Sequence, residues 1–575
     1  MKIVKGVLTY TLILIGVLLI AGILLFAGMA FLKFPVFGYR VTMASNQTKE
    51  VKTVLLNDVE RTIVINSNNY DVKIRPFDDD VEASNRRMLI QYVDSAFGLV
   101  SNGHLIDKTN SVIEVLYYND DTLVTSESDQ SSATKIVINL KTPQGILNYR
   151  DSLIFVHLPI SATSTSYNYN FEINSGKGDI KIIPWHDDEG GDHLGVLTVN
   201  GMNITTTTGS VTFYGLKESG EYGNSDSYVE FDYLNLKTEK GKFDFTKQKI
   251  KVDQNVKIES SMGDFAFDKI IAGFTIKGEN LVFDAGEINT GNKSFLYNCP
   301  HGTLGIDTLN VGNQVGEIVT QYAGVDIKNV YGDLSIQATY GKTKLGNTYS
   351  NVIDVTTTHG DIEIEHVQTD YVYKMITSGD DKGKIEFDSG TYKGTVACRS
   401  TYGDIIVKKY DADGWFTNKK GQINVQSTAP AYWLNGSDNE NYNSYETRIE
   451  TVDGAVYAKG LTGFVNATAT GGSNLNLSFA CVPNNNKKSD ISIGSGKLTL
   501  NLPQIVASKS SGFKLTGEMK GGASVDVYNA STKDVTYKAI DFKDGETSKT
   551  ITDYAAANDY TFNLVSNGGK ITIKM

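Results

Sequence analysis

TTHGDIEIEH, residues 357–366, is the stretch that decides how this chain is read. It alternates. Ile362, Ile364 and His366 fall on one side of an extended strand, and Asp361, Glu363 and Glu365 fall on the other. Two histidines beside three carboxylates suit a catalytic cluster. The same letters also suit one layer of something repetitive.

Spacing separates the two readings. Glycine, a polar residue, then apolar-x-apolar recurs as Gly178-Asp179-Ile180-Lys181-Ile182 and Gly263-Asp264-Phe265-Ala266-Phe267. It returns as Gly332-Asp333-Leu334-Ser335-Ile336, as Gly360-Asp361-Ile362-Glu363-Ile364 and as Gly403-Asp404-Ile405-Ile406-Val407. Variants include GSVTF (209–213), GKFDF (241–245), GKIEF (383–387), GQINV (421–425), GKLTL (496–500) and GKITI (569–573). Some matches arise by chance in a chain with 55 glycines, but chance does not space them. Gly341, Gly360, Gly383, Gly403 and Gly421 stand 19, 23, 20 and 18 residues apart, and Gly454, Gly472 and Gly496 follow at intervals of 18 and 24.

A period near twenty, with strand chemistry and no helix, is what a β-solenoid requires. The expected fold is therefore all-β: an elongated single-chain β-solenoid (β-helix) with coils of about twenty residues. Each coil places one strand on each face, with glycine at positive φ making the corner. Ile362 and Ile364 then enter a dry interior and stack on equivalents about 4.8 Å away. One outward column reads Lys342, Asp361, Lys384, Asp404, Gln422. Opposite charges alternate along it, each pair contributing roughly 0.2–1 kcal/mol and helping to fix register. The carboxylates of the opening stretch are expected to form one rung of such a charge ladder.

Composition agrees. The 575 residues are 40% apolar, with 9 prolines and 31 tyrosines, which suits an all-β chain with short turns. The net charge of −12 argues against nucleic acid as a partner, since phosphates demand basic patches. Three cysteines, Cys299, Cys398 and Cys481, are far apart and lack CxxC spacing, so they are read as small buried side chains rather than disulfides or a zinc site.

The N-terminus carries a second strong signal. GVLTYTLILIGVLLIAGILLFAGMAFL, residues 6–32, contains no charge. As a helix it would extend roughly 40 Å, against about 30 Å of hydrocarbon, and tilt absorbs the excess. We expect a transmembrane signal anchor at 6–32 and a cytoplasmic tail at 1–5. A stalk at 33–60, an N-terminal β region with long loops at 61–170 and a repetitive β-solenoid at 171–575 follow. The rival is a cleaved signal peptide ending near Gly28-Met29-Ala30, although the apolar run is long for one. The expected location is the cell membrane, single-pass, with the C-terminal ectodomain extracellular.

Other segments read as strands: TIVINSNNYDVKIRP (62–76) as two runs around an Asn-rich turn, then SVIEVLYY (111–118), KIVINLKT (135–142) and SLIFVHLPI (152–160). NRRMLIQYVDSAFGLV (85–100) fits either a short helix or a strand pair.

The GDI, GDL and GDF phrases at coil spacing, the opening INSNNYDVKI and the N-terminal apolar span resemble the putative-adhesin repeat family of bacteria. The resemblance covers about 60–575 and is best from 170 to 425. It implies a β-solenoid at the cell surface, often membrane-anchored. The family has no established catalytic residues, so none is carried over. The chain departs from the pattern in long loops before 170 and irregular coils between 278 and 332.

Motifs for chemistry are sparse. There is no GxSxG and no HExxH. YGKTK (340–344) has Ile336 where a phosphate-binding loop needs its first glycine. DADG (411–414) begins like a calcium loop, but Trp415 and the missing later glutamate break it. In WHDDEGGDH (185–193), His186, Asp187, Asp188, Glu189, Asp192 and His193 are either a metal cluster or, as expected, a solvated acidic turn. FDDD (77–80) reads the same way. Tyr340 in ATYG (338–341) and Tyr402 in STYG (400–403) would form either an exposed stripe for sugar or protein binding or stacked rings capping each corner.

No catalytic, cofactor-binding or metal residue is assigned. The function expected is a non-catalytic adhesin or envelope spacer with an unidentified surface glycan or protein ligand. The alternatives are a carbohydrate-active β-helix enzyme and a scaffold that polymerises end to end. The last strand, GKITIKM, runs to the chain end with no obvious cap, which keeps the scaffold reading open.

Overall fold

In the computed structural model, Ile362 and Ile364 are each 1% exposed, as their alternation requires. Their strand, Ile362–Thr369, pairs in parallel with Thr343–Tyr349 on one side and Ile385–Tyr392 on the other. Leu345, Ile364 and Phe387 thereby share one inner column, continued by Val407 and Val425. The intervening strand, Val352–Thr357, pairs instead with Gly324–Ala338 and Val372–Thr377, again in parallel. Successive strands thus alternate between two parallel ladders, and a residue meets its counterpart about one repeat later. The fold is all-β.

The structure describes residues 16–20, 35–36, 39–43, 47–55, 61–68, 70–76, 87–94, 97–101, 112–141, 145–147, 152–158, 169–183, 185–186, 195–196, 199–214, 228–369, 372–377, 383–392, 395–428, 446–480, 488–502, 514–520, 524–528, 535–540, 548–551 and 561–574. Of the apolar segment 6–32, residues 16–20 are described and helical, and the rest lies outside the described residues. Among the described residues no helix is long and apolar enough to cross a membrane. The chain divides into two compact units, 1–272 and 273–575.

In the first unit the strands Arg61–Asn68 and Asp71–Pro76 each enter a different parallel ladder. Arg61–Asn68 lies between Lys135–Leu140 and Tyr169–Ser175, and Asp71–Pro76 between Ser152–Leu158 and Ile180–Ile182. Chain order and spatial order part company here. Antiparallel strands close this end: Ile113–Asn119 on Lys135–Leu140, and Gln47–Leu55 on Arg87–Asp94 on Ser152–Leu158. Within 33–60, read as a stalk, the described residues form strands, Tyr39–Met43 joining a separate small antiparallel sheet and Gln47–Leu55 pairing with Arg87–Asp94. The ambiguous segment 85–100 holds two strands, Arg87–Asp94 and Phe97–Ser101, which join different sheets rather than pairing with each other, with Met88, Ile90 and Tyr92 fully buried. Inside the unit, Phe245 and Phe267 stack at 4.8 Å and Phe243 and Phe265 at 5.0 Å, the layer spacing of the ladder.

In the second unit the C-terminal end corrects an expectation. The last strand, Lys570–Lys574, is not the end of the stack. It lies between Lys497–Asn501 and Ser524–Tyr528, and Thr561–Asn567 lies between Lys488–Ile493 and Lys514–Lys520. Antiparallel Val535–Ile540 and Ser548–Ile551 cover Ser524–Tyr528 and Lys514–Lys520. The chain overshoots by one layer, closes the end, and returns to fill the gap.

Three local expectations are also corrected. His366 does not share the inner face with Ile364. It is half-buried, and Val367, 1% exposed, takes the inner place, because two successive outward residues turn the strand at a corner. Positive φ is found at Gly421 (97°) but not at Gly341 or Gly360. At Gly360 glycine is required by close approach: a Cβ there would stand 2.1 Å from the Gly341 carbonyl oxygen of the layer before. Finally, Asp361 and Asp404 do not form the alternating charge column. Asp361 Oδ1 accepts the backbone N–H of Lys384, and Asp404 Oδ1 that of Gln422, each at 2.8 Å. Asp179 does the same for Ser210 at 2.8 Å. The aspartate after the glycine thus satisfies a backbone donor of the next layer at the corner.

A buried hydroxyl three residues before the glycine completes the corner. Thr357 Oγ1 donates to Gly360 O at 2.7 Å, Ser175 Oγ to Gly178 O at 2.7 Å and Ser566 Oγ to Gly569 O at 2.8 Å. In turn Gly403 N–H donates to Ser400 Oγ at 2.9 Å and Gly454 N–H to Thr451 Oγ1 at 3.0 Å. The pattern Ser/Thr-x-x-Gly stands in the sequence. Its purpose becomes visible where the hydroxyl is buried with a carbonyl or amide to answer.

Candidate functional site

The ion pairs run two residues further along the strands than expected. Lys342 pairs with Glu363, and Lys344 with Glu365 at 3.0 Å. Lys384 reaches Glu386 at 2.6 Å, and Lys408 reaches both Glu386 at 3.2 Å and Asp388 at 2.8 Å. The charge ladder exists, built on the Glu363 and Glu386 positions. The hydrogen bond from Lys384 holds the Glu386 carboxyl below its ordinary value, partial burial opposes this, and Lys408 adds to the lowering. A general acid needs the opposite shift.

The sign of the pH effect follows. The pKa of Glu386 is lowered by folding, so its contribution is complete above the unfolded value, ordinarily 4.5, and is lost as pH falls through the folded one. Glu386→Gln is expected to lose less stability than the parent between about pH 6 and about pH 3, measured as urea midpoints at both values. Equal losses would show that the lysines do not couple to this carboxylate.

The tyrosine stripe is partly as expected. His301, Tyr322, Tyr340 and His359 form one column of parallel rings, with centroids 4.9, 4.9 and 4.5 Å apart and planes within 8°. Tyr331 and Tyr349 form a second pair at 5.0 Å. Tyr402 stands two layers beyond His359 and is half-buried, and the structure does not bring it into contact with Tyr340. Tyr322 is 54% and Tyr340 46% exposed, yet their faces are taken by their neighbours. What they offer solvent is edges and hydroxyls. A sugar stacks on a face, so this geometry fits the corner-capping role.

Another aromatic has a different setting. Trp415 is 42% exposed and stacks on no ring of the described residues. The Arg448 guanidinium carbon lies 5.0 Å from the indole centroid. Arg448 is in turn held by Glu446 at 2.8 Å, which also accepts a hydrogen bond from Asn466. The clue in the sequence is an outward tryptophan in DGWFTN, where Gly414, Phe416 and Asn418 point inward.

The remaining candidates are quickly placed. Trp185–His186 pairs antiparallel with Gly195–Val196, while Asp187, Asp188, Glu189, Asp192 and His193 lie outside the described residues, as does 77–80. Among the described residues no group of three or more metal-ligating side chains converges. Cys299 and Cys398 are free and buried, and burial pushes both thiols up; Cys481 lies outside the described residues.

No protein-family model and no curated protein matches the chain. Among solved structures, the crystal structure of a putative adhesin from Parabacteroides merdae is similar at 9% identity, the match covering 64% of this chain and 95% of that one. Its TM-score is 0.18, too low to carry an argument about fold or function.

Proposed function

We propose that the chain is a non-catalytic cell-surface protein whose two parallel ladders wind as a β-solenoid and present an extended face to an extracellular glycan or protein. In this reading residues 6–32 anchor it in the membrane as a single span, with the C-terminal body outside. One observation carries the non-catalytic part: five neighbouring carboxylates of the described ladder are committed to structure, although burial raises the carboxyl of Asp411 nearby. Glu363, Glu386 and Asp388 answer lysines, and Asp361 and Asp404 answer backbone amides of the next layer. An acid–base pair for polysaccharide cleavage needs two carboxyl groups flanking one glycosidic bond, with their protonation pushed apart. The scaffold alternative loses ground because antiparallel strands cover the outermost described parallel strands near the N-terminus of the first unit and near the C-terminus of the second.

The test uses the full-length chain in detergent on a printed array of glycans and cell-wall polymers, with chromatography of every polymer bound. Retention of intact polymer is expected. A shortened polymer overturns the non-catalytic reading. Trypsin applied to intact cells checks the orientation: peptides from 61–575 should be released before lysis, and their protection until lysis would sink the surface assignment.

A further inference from the structure

Strand Asp413–Asn418 buries Gly414, Phe416 and Asn418 and turns Asp413, Trp415 and Thr417 outward. Nothing in the core uses the indole of Trp415. Its column neighbours are Ala397 in the layer before and Arg448 in the layer after. Ala397 contributes no more than a methyl group on one side. On the other, Arg448 lies against the ring and is pinned from behind by Glu446. Glu446 is itself fixed: its N–H donates to Asp413 Oδ1 at 2.7 Å and its carboxylate accepts from Asn466. Arg399 and Thr417 are register partners in the adjoining outward column. The result is a preorganised aromatic plate with hydrogen-bonding groups around it, unlike the Tyr322–Tyr340 column, where every inner face is already covered.

We propose that Trp415 is the stacking platform of a carbohydrate subsite, with Arg399 and Arg448 addressing the hydroxyls of a pyranose unit in an extended polysaccharide. The axial C–H face of a pyranose is apolar and weakly positive, and it complements the negative face of an indole. A protein partner is the poorer fit. Tryptophan and arginine do anchor protein interfaces, but within an apolar core that excludes water. Here the surroundings are threonine, arginine, carboxylate and amide. The proposal rests on the binding function above and names its ligand class and place.

The experiment uses the full-length chain, its W415A, W415F and Y340A variants, and an array of neutral and uronic-acid-containing polysaccharides, followed by titration calorimetry with whichever polymer the parent binds best. Thermal melts of all four proteins check folding. W415A is expected to weaken binding about tenfold or more, as for a central aromatic contact, and W415F to retain part of it. Y340A should bind like the parent. Ligand should also change the tryptophan emission of the parent and leave that of W415F unchanged. If W415A binds as tightly as the parent, the subsite is wrong while the binding function stands. A parent that binds no polysaccharide overturns the carbohydrate class. Cleavage of the bound polymer overturns the non-catalytic function instead, so the failures are distinguishable.

Discussion

Deleting residues 559–575 should collapse the C-terminal end of the fold rather than shorten it by one layer. The removed segment holds Thr561–Asn567 and Lys570–Lys574, which lie between Lys488–Ile493 and Lys497–Asn501 on one side and Lys514–Lys520 and Ser524–Tyr528 on the other. Phe562, Leu564, Ile571 and Ile573 are each 0% exposed. Burying such side chains contributes roughly 1.5–3 kcal/mol apiece, so their sum is on the order of a whole domain's stability. The strands beyond them would lose their parallel partners, and with them the antiparallel strands that close the stack. In a layered protein, stability is carried by nearest-neighbour interfaces, so a missing inner layer detaches everything outside it. Limited proteolysis with mass spectrometry should find new cuts within the strands Lys514–Lys520, Ser524–Tyr528, Val535–Ile540 and Ser548–Ile551, and a melting temperature lower by about ten degrees or more. Unchanged protection of these strands would mean that the final strands do not occupy the gap.

Gly341→Val is expected to destabilise by about 3 kcal/mol or more, the scale of a backbone displacement forced by overpacking. A Cβ at Gly341 would stand 1.9 Å from the Ala323 carbonyl oxygen. That oxygen belongs to backbone, and its neighbourhood is locked: Val325 N–H donates to Lys342 O at 2.9 Å, and Gly324–Ala338 is paired in parallel with Thr343–Tyr349. Neither layer can yield without breaking ladder hydrogen bonds. Gly472→Ala is the control. Gly472 belongs to the same glycine series, but the nearest atom to its added Cβ is Ser495 Oγ at 4.0 Å. It should cost no more than about 1 kcal/mol. Urea denaturation of both variants measures the contrast, and equal midpoints would refute close approach as the reason for glycine.

That pair shows where the sequence is legible and where it is not. The glycine series reports a period near twenty, and the apolar-x-apolar phrases report an inner face. Both follow from the local alternation of side chains along a strand, so Ile180, Phe265, Ile336, Ile364 and Val407 are assigned to the interior by the order of their neighbours alone, and all five are buried. Sequence also locates Tyr340 at an exposed corner. The glycine series also sets His359, before Gly360, beneath Tyr340, before Gly341, but it does not show that His301 and Tyr322 complete the column, because those rings come from other layers whose alignment depends on loop lengths.

Ile362 and Ile364 as core, the all-β class and the repeat are therefore determined by the sequence itself, since a strand's two faces are written in adjacent residues. The use of Asp361 as a partner for the Lys384 amide, the pinning of Arg448 against Trp415, and the return of Lys570–Lys574 into an inner layer are decided by the tertiary structure. Each of these depends on which layer lies next to which. Lys497–Asn501 meets the last strand some seventy residues away, and no local pattern of letters encodes a contact across that distance.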